Sequence, residues 1–170
     1  MQFPSILAAP SRAASAYISH RFLPNDERVM SPIQPSSSAA SRRMAKVRHK
    51  GTDAEIALRK ELYRRGLRYR VDHEVIKKPR RVADVVFPGL RIAIFVDGCF
   101  WHGCPEHASW PKQNAEFWRQ KIETNRLRDA DTNERLRQMG WTVLRFWAHE
   151  SPIDAAETVM RAVALARSKR

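Results

Sequence analysis

The 170-residue chain is short of cysteine, short of acid, and without any long apolar run. Two cysteines are too few for a disulfide scaffold, and such sparing use points to a reducing compartment. No stretch approaches the roughly 20 apolar residues of a membrane-spanning helix, so a membrane role would have to be peripheral. Nothing resembles a cleaved secretory leader with a long apolar centre, and no internal repeat is visible. The shortage of acid is the most informative. Asp and Glu number 18 against 31 Lys and Arg, a formal net charge of +13. That excess requires an acidic partner, of which nucleic acid is the commonest and an anionic membrane surface the alternative.

Residues 1 to 43 are rich in Ser, Ala and Pro, show no sustained periodicity, and carry no acid before Asp26. Such a segment buries too little apolar surface to order itself, so it is expected to be a disordered extension. A transit-peptide-like leader and a start codon placed too far upstream, with Met30 or Met44 as the true beginning, are the two explanations for it. The domain is expected over 44–170. In GTDAEIALRKELYRRG, Thr52 and Glu55 have capping-box spacing, Ala54, Leu58 and Leu62 recur every fourth residue, and Gly66 closes a helix. LRYRVDHEVI, VADVVF and LRIAIFV read as strands, the last two joined at Pro88-Gly89 as a hairpin. NAEFWRQKIETNRLRDADTNERLRQMG is a long basic helix ending at Gly140, and WTVLRFW is a further strand. Ser151 and Pro152 open an Ala-rich final helix. The order α-β-β-β-α-β-α predicts an α/β domain, a helix-flanked mixed β-sheet.

Chemistry concentrates in and beside FVDGCFWHGCPEH, residues 95–107, which holds both cysteines. Asp84 lies inside the apolar strand VADVVF, which is costly unless the acid is paired or holds a metal; the structural alternatives are an edge-strand Asp facing solvent or a partner for Arg81. Asp97 ends the next apolar strand, either as a functional acid or as a turn-former before Gly98. Two acids on adjacent strands could hold Mg²⁺. A tight Pro-Gly turn would set Asp84 opposite Ala93 and leave Asp97 roughly 13 Å away, at about 3.3 Å per residue. A looser turn would set Asp84 opposite Val96. Cys99, Cys104 and His107 can furnish three zinc ligands, with His149 beyond the last strand as the fourth; buried or oxidised cysteines are the alternative. His102 is then left as a candidate general base, or a surface or ligand histidine. Phe100, Trp101, Trp110 and Trp118 could wedge between base steps or form a small core beneath the loop. Arg119, Lys121, Arg126 and Arg128 suit phosphate contacts or a solvated helix face.

From about Met44 to Glu150, the stretches GTDAEIALRKELYRRGLRYRV, ADVVFPGLRIAIFVDGCFWHGC, EFWRQKI and LRQMGWTVLRFW stand in the order and spacing of one family. The chain resembles the very-short-patch mismatch repair endonucleases, a branch of the restriction-endonuclease-like superfamily. That resemblance implies a restriction-endonuclease-like fold with a zinc-stabilised loop, and nicking of DNA beside a T:G mismatch with Mg²⁺ and a structural Zn²⁺. It implies double-stranded DNA, mismatched, as the partner of a monomer, with repair proteins as further partners and no membrane. The implied location is the bacterial cytoplasm, on the nucleoid when DNA is bound. By position, Asp84 matches the metal-binding aspartate, the Val96 carbonyl a second metal ligand, His102 the catalytic histidine and Glu55 a helix glutamate of the active site. Phe100, Trp101 and Trp118 match intercalating aromatics, and Cys99 and Cys104 match zinc ligands.

The departures are specific. Asp97 stands where the family has a histidine beside the metal, and an acid there could bind Mg²⁺ directly. Glu106 occupies the third zinc position with His107 one residue later, and His149 stands where the type member has a cysteine. Cys99 replaces the superfamily's usual lysine, in agreement with a histidine-based mechanism. The reading is a Mg²⁺-dependent nicking endonuclease acting at T:G mismatches. Its rivals are a zinc-stabilised non-catalytic DNA-binding module and an endonuclease with the same machinery and another DNA substrate. Divalent-cation dependence separates enzyme from module; salt dependence of binding does not.

Overall fold

The computed structural model describes Arg42, residues 50–107 and residues 111–169. Trp110 and the expected N-terminal extension, apart from Arg42, lie outside the described residues. The elements follow the expected order: α1 (Asp53–Arg64), β1 (Arg70–Ile76), β2 (Arg81–Phe87), β3 (Ile92–Asp97), α2 (Ala115–Gln138), β4 (Thr142–Trp147) and α3 (Pro152–Ser168).

Local chemistry explains the boundaries. Thr52 caps α1 by accepting from the Glu55 amide at 3.3 Å, while the Glu55 carboxylate reaches back to the Gly51 amide at 3.0 Å. The capping box is thus present but shifted one residue upstream. α1 and α2 end alike: Leu67 N–H donates to the Leu62 carbonyl and Trp141 N–H to the Leu136 carbonyl, around Gly66 and Gly140 at φ 81° and 75°. These are Schellman turns, in which only glycine adopts the left-handed position without strain. Ser151 caps α3, with Pro152 at its first turn.

The four strands form one mixed sheet in the order β1-β2-β3-β4. β1/β2 and β2/β3 are antiparallel, whereas β3/β4 is parallel, joined through α2. On one face, Leu58 and Leu62 of α1 and Ala156, Val159 and Val163 of α3 pack on Val85, Ile92, Ile94 and Phe146. On the other, Leu136 of α2 joins Val86, Ala93 and Phe95. Burial on both faces explains the nearly continuous apolar runs of β2 and β3.

The β2–β3 connection is a 3₁₀ turn at Pro88–Leu90 followed by Arg91 at φ 51°. Pairing runs Phe87↔Ile92, Val86↔Ala93 and Val85↔Ile94. Continued by one residue, this register sets Asp84 beside Phe95, between the two turns anticipated from sequence. The ladder stops short of Asp84, and the Val96 amide donates instead to the Asp84 carboxylate at 2.7 Å.

Candidate functional site

Parallel pairing of β3 and β4, with Asp97 beside Trp147, brings the segments leaving both strands together. The Cys99–His107 loop therefore meets His149. Cys99 Sγ lies 3.2 Å from His149 Nδ1, and Cys104 Sγ lies 3.7 Å from His149 Nδ1 and 3.9 Å from His107 Nδ1. Four donors at about 2.0–2.3 Å around a tetrahedral zinc would stand about 3.3–3.8 Å apart, so these residues suit that ion as they stand. Both cysteines are free thiols, and Cys104 is buried. Burial pushes the Cys99 thiol up, and Cys104 beside it pushes it further. A bound cation would reverse that shift by favouring thiolate. Glu106, at the family's third zinc position, is a neighbour of His149 at 3.5 Å, while His107 is grouped with the two cysteines.

At the opening between β2 and β3, Asp84 comes together with Glu55 of α1 and Asp72 of β1, each offering an oxygen within 4.8 Å of the others. Burial pushes the Asp84 carboxyl up to about 6; Glu55 and Asp97 add to the rise, and the Val96 N–H bond opposes it. Glu55 serves twice, as a cap for α1 and as a member of this group. Its carboxylate also takes Arg59 Nη2 at 2.9 Å. Asp72 was not singled out by the sequence. It adopts φ 46° in the middle of β1, where left-handed backbone is unusual for a non-glycine residue. Three clustered carboxylates suit a divalent cation, which takes oxygen ligands and would favour the ionised form of the buried Asp84.

Asp97 does not join that group. Its carboxylate takes Arg145 Nη1 at 2.9 and 3.1 Å and clusters with His102 and Asp129. It sits instead in the histidine cluster, near enough to Asp84 for its charge to raise that carboxyl. His102 Nδ1 lies 2.5 Å from Asp129 Oδ2 and 3.8 Å from Asp97 Oδ1. Burial alone would raise Asp129, but the His102 hydrogen bond and the Arg145 guanidinium outweigh it and hold the carboxyl below its ordinary value. An ionised Asp129 fixes the proton on Nδ1 and leaves the lone pair on Nε2, the arrangement of an oriented general base.

Two residues of α2 hold the loop that carries His102. Asn125 donates to the Trp101 carbonyl at 2.8 Å, and Arg126 to the His102 and Gly103 carbonyls at 3.3 and 3.0 Å. Arg126, expected on phosphate, is therefore engaged within the fold. Gly103 sits at φ 63°, where a Cβ would approach Ile122 Cγ2 to 2.8 Å, so the loop needs glycine there. Phe100, Trp101 and Trp118 stack edge to face at 5.2–5.9 Å, with Phe117 against Trp118 at 5.2 Å. They are half-buried, leaving aromatic surface beside the candidate base. Lys121 and Arg119 are exposed on the same helix, Arg119 paired with Glu116 at 3.0 Å.

Asp129 does not stand out in the sequence, being one of several acids in RLRDADTNERL. A signal existed. Ile122, Asn125, Asp129, Thr132 and Leu136 recur at three- and four-residue spacing, so three polar residues share the stripe that faces the sheet.

Residues 35–108 match the family described as DNA mismatch endonuclease Vsr. The type II nicking enzyme V.NaeI of Lentzea aerocolonigenes is 41% identical over 132 residues, covering 74% of this chain and 77% of that protein. The type II nicking enzyme V.NmeDIP of Neisseria meningitidis serogroup C is 42% identical over 120 residues, covering 67% and 78%. DNA mismatch endonuclease Vsr of Escherichia coli K12 is 35% identical over 112 residues, covering 63% and 67%.

Proposed function

Since the chain belongs to the DNA mismatch endonuclease Vsr family and is a DNA endonuclease of mismatch-related repair, we propose that it nicks one strand of a duplex beside a T:G mismatch, with Mg²⁺ at Asp84 and a structural Zn²⁺ at Cys99, Cys104, His107 and His149. One observation carries the reading. Consecutive residues at the end of β3 serve two different clusters: the Val96 amide binds Asp84, and Asp97 lies beside His102. An oxygen-donor group and an oriented imidazole thus flank one strand end.

Asp84 and the Val96 carbonyl would hold the divalent cation, with the carboxylates of Glu55 and Asp72 grouped beside Asp84. Bound there, Mg²⁺ would neutralise charge that develops on the phosphate. His102 takes a proton from water at Nε2 while Asp129 holds Nδ1–H. The water oxygen attacks phosphorus, one bridging P–O bond breaks and the leaving oxygen takes a proton from solvent; the products are a phosphate monoester and a hydroxyl, and His102 returns its proton to solvent. Phe100, Trp101 and Trp118 would enter the base stack at the mismatch, where unstacking costs least. Lys121 and Arg119 would contact the phosphates of the same strand.

Single-turnover nicking of a labelled T:G duplex tests the assignment. His102→Ala and Asp84→Ala should each slow cleavage at least about 100-fold while leaving the Kd for the duplex within a fewfold. Wild-type cleavage by either variant would overturn the site.

A further inference from the structure

Arg145 is the one charged residue of the strand TVLRFW. Parallel pairing sets it beside Phe95, over whose ring its guanidinium lies with Cζ 4.6 Å from the centroid. From there the side chain runs to the inner stripe of α2. Nε donates to Asn133 Oδ1 at 3.1 Å. Nη1 meets both Asp97 oxygens and, at 3.1 Å, Asp129 Oδ2. That last oxygen is the one that binds His102 Nδ1. Only 20% of the Arg145 side chain and 15% of the Asp129 side chain are exposed, so solvent does little to weaken the contact.

We propose that Arg145 is a positioning residue of the cleavage reaction: anchored by Asp97, Asn133 and Phe95, it clamps Asp129 Oδ2 and thereby fixes the His102 imidazole. The proposal rests on the reading of His102 as the proton acceptor. An aspartate side chain has several rotamers, and the hydrogen bond from His102 does not by itself choose among them. The guanidinium does, because it is immobilised on three further partners that do not take part in the reaction. Asp97, expected as a Mg²⁺ ligand, becomes the anchor of this clamp. The planar fork of arginine suits the task, with Nη1 spanning two carboxylates while Nε remains on Asn133.

The test uses the full-length protein, with single-turnover nicking rate and duplex Kd measured separately. Arg145→Met keeps the packing on Phe95 and removes the charge. It should lower the rate about 100-fold, the cost of displacing a catalytic group by about 1 Å, with Kd within twofold. Arg145→Lys should recover part of the rate. Because removing one partner leaves Asp97 buried and unpaired, Arg145→Met is also made in an Asp97→Asn background. There the double variant should nick at least about tenfold more slowly than Asp97→Asn alone. Equal rates would show that Arg145 serves only to neutralise Asp97, and would overturn the proposal. So would a wild-type rate in Arg145→Met, or a loss of rate matched by a loss of binding. His102→Ala runs alongside: full nicking by that variant would sink the assignment of the base, whereas loss there with normal Arg145→Met would sink the clamp alone.

Discussion

Asp84 is held where an ionised carboxylate is least comfortable without a cation. Its folded pKa, raised from 3.8 to about 6 chiefly by burial, means that the folded protein binds this proton more tightly than the unfolded chain does. The stability cost is therefore absent below about pH 4, grows as the pH rises, and is complete above about pH 6. A shift of this size corresponds to on the order of 2–3 kcal/mol. Asp84→Asn, which keeps an acceptor for the Val96 amide, should raise Tm at pH 8 in the absence of divalent cations and lose most of that advantage as the pH falls to about 4, while abolishing nicking. Unchanged Tm at pH 8 would contradict the account of burial. Asp84 was legible because an acid interrupts an apolar strand. The same signal marks Arg145 between Leu144 and Phe146, yet a single cation in a strongly basic chain is easily read as solvated. Asp72 carried no signal, because its role depends on a left-handed backbone that no neighbouring residue announces.

Among the elements, helix ends were legible because Thr52, Gly66, Gly140 and Ser151 each supply a specific missing backbone partner. The β2–β3 register was not, because it depends on a 3₁₀ turn with Arg91 in the left-handed region, and Pro88-Gly89 permits several turn lengths. That uncertainty, three residues between the tight and the loose turn, decided whether Asp84 could reach Val96. The loop between β3 and α2 is the element with the least core of its own, since Cys104 and Gly103 are its buried members among the described residues. If zinc closes it, the protein should carry about one Zn²⁺ per chain, and a strong chelator should lower Tm by at least about 10 °C and displace His102 with the loop. A metal-free preparation with unchanged Tm and full nicking would contradict a structural zinc.

At the scale of the molecule, the +13 charge agrees with DNA as partner; among the described residues no helix is long and apolar enough to cross a membrane. The two faces of the sheet divide the work. One face buries α1 and α3 and brings Glu55 to Asp84; the other buries α2 and brings Asp129 to His102. The proposed reaction draws on both, and the end of β3 joins them, with Val96 bonded to Asp84 and Asp97 beside His102. Tight, salt-sensitive binding would follow from charge alone and would be shared by a non-catalytic module. Catalysis would not. The decisive measurement is therefore strand cleavage of two end-labelled duplexes differing at one base pair, T:G against T:A, with Mg²⁺ added or withheld. One cut is expected, in one strand, beside the T:G pair and only with Mg²⁺. Binding without cleavage of either duplex, or equal cleavage of both, would contradict it.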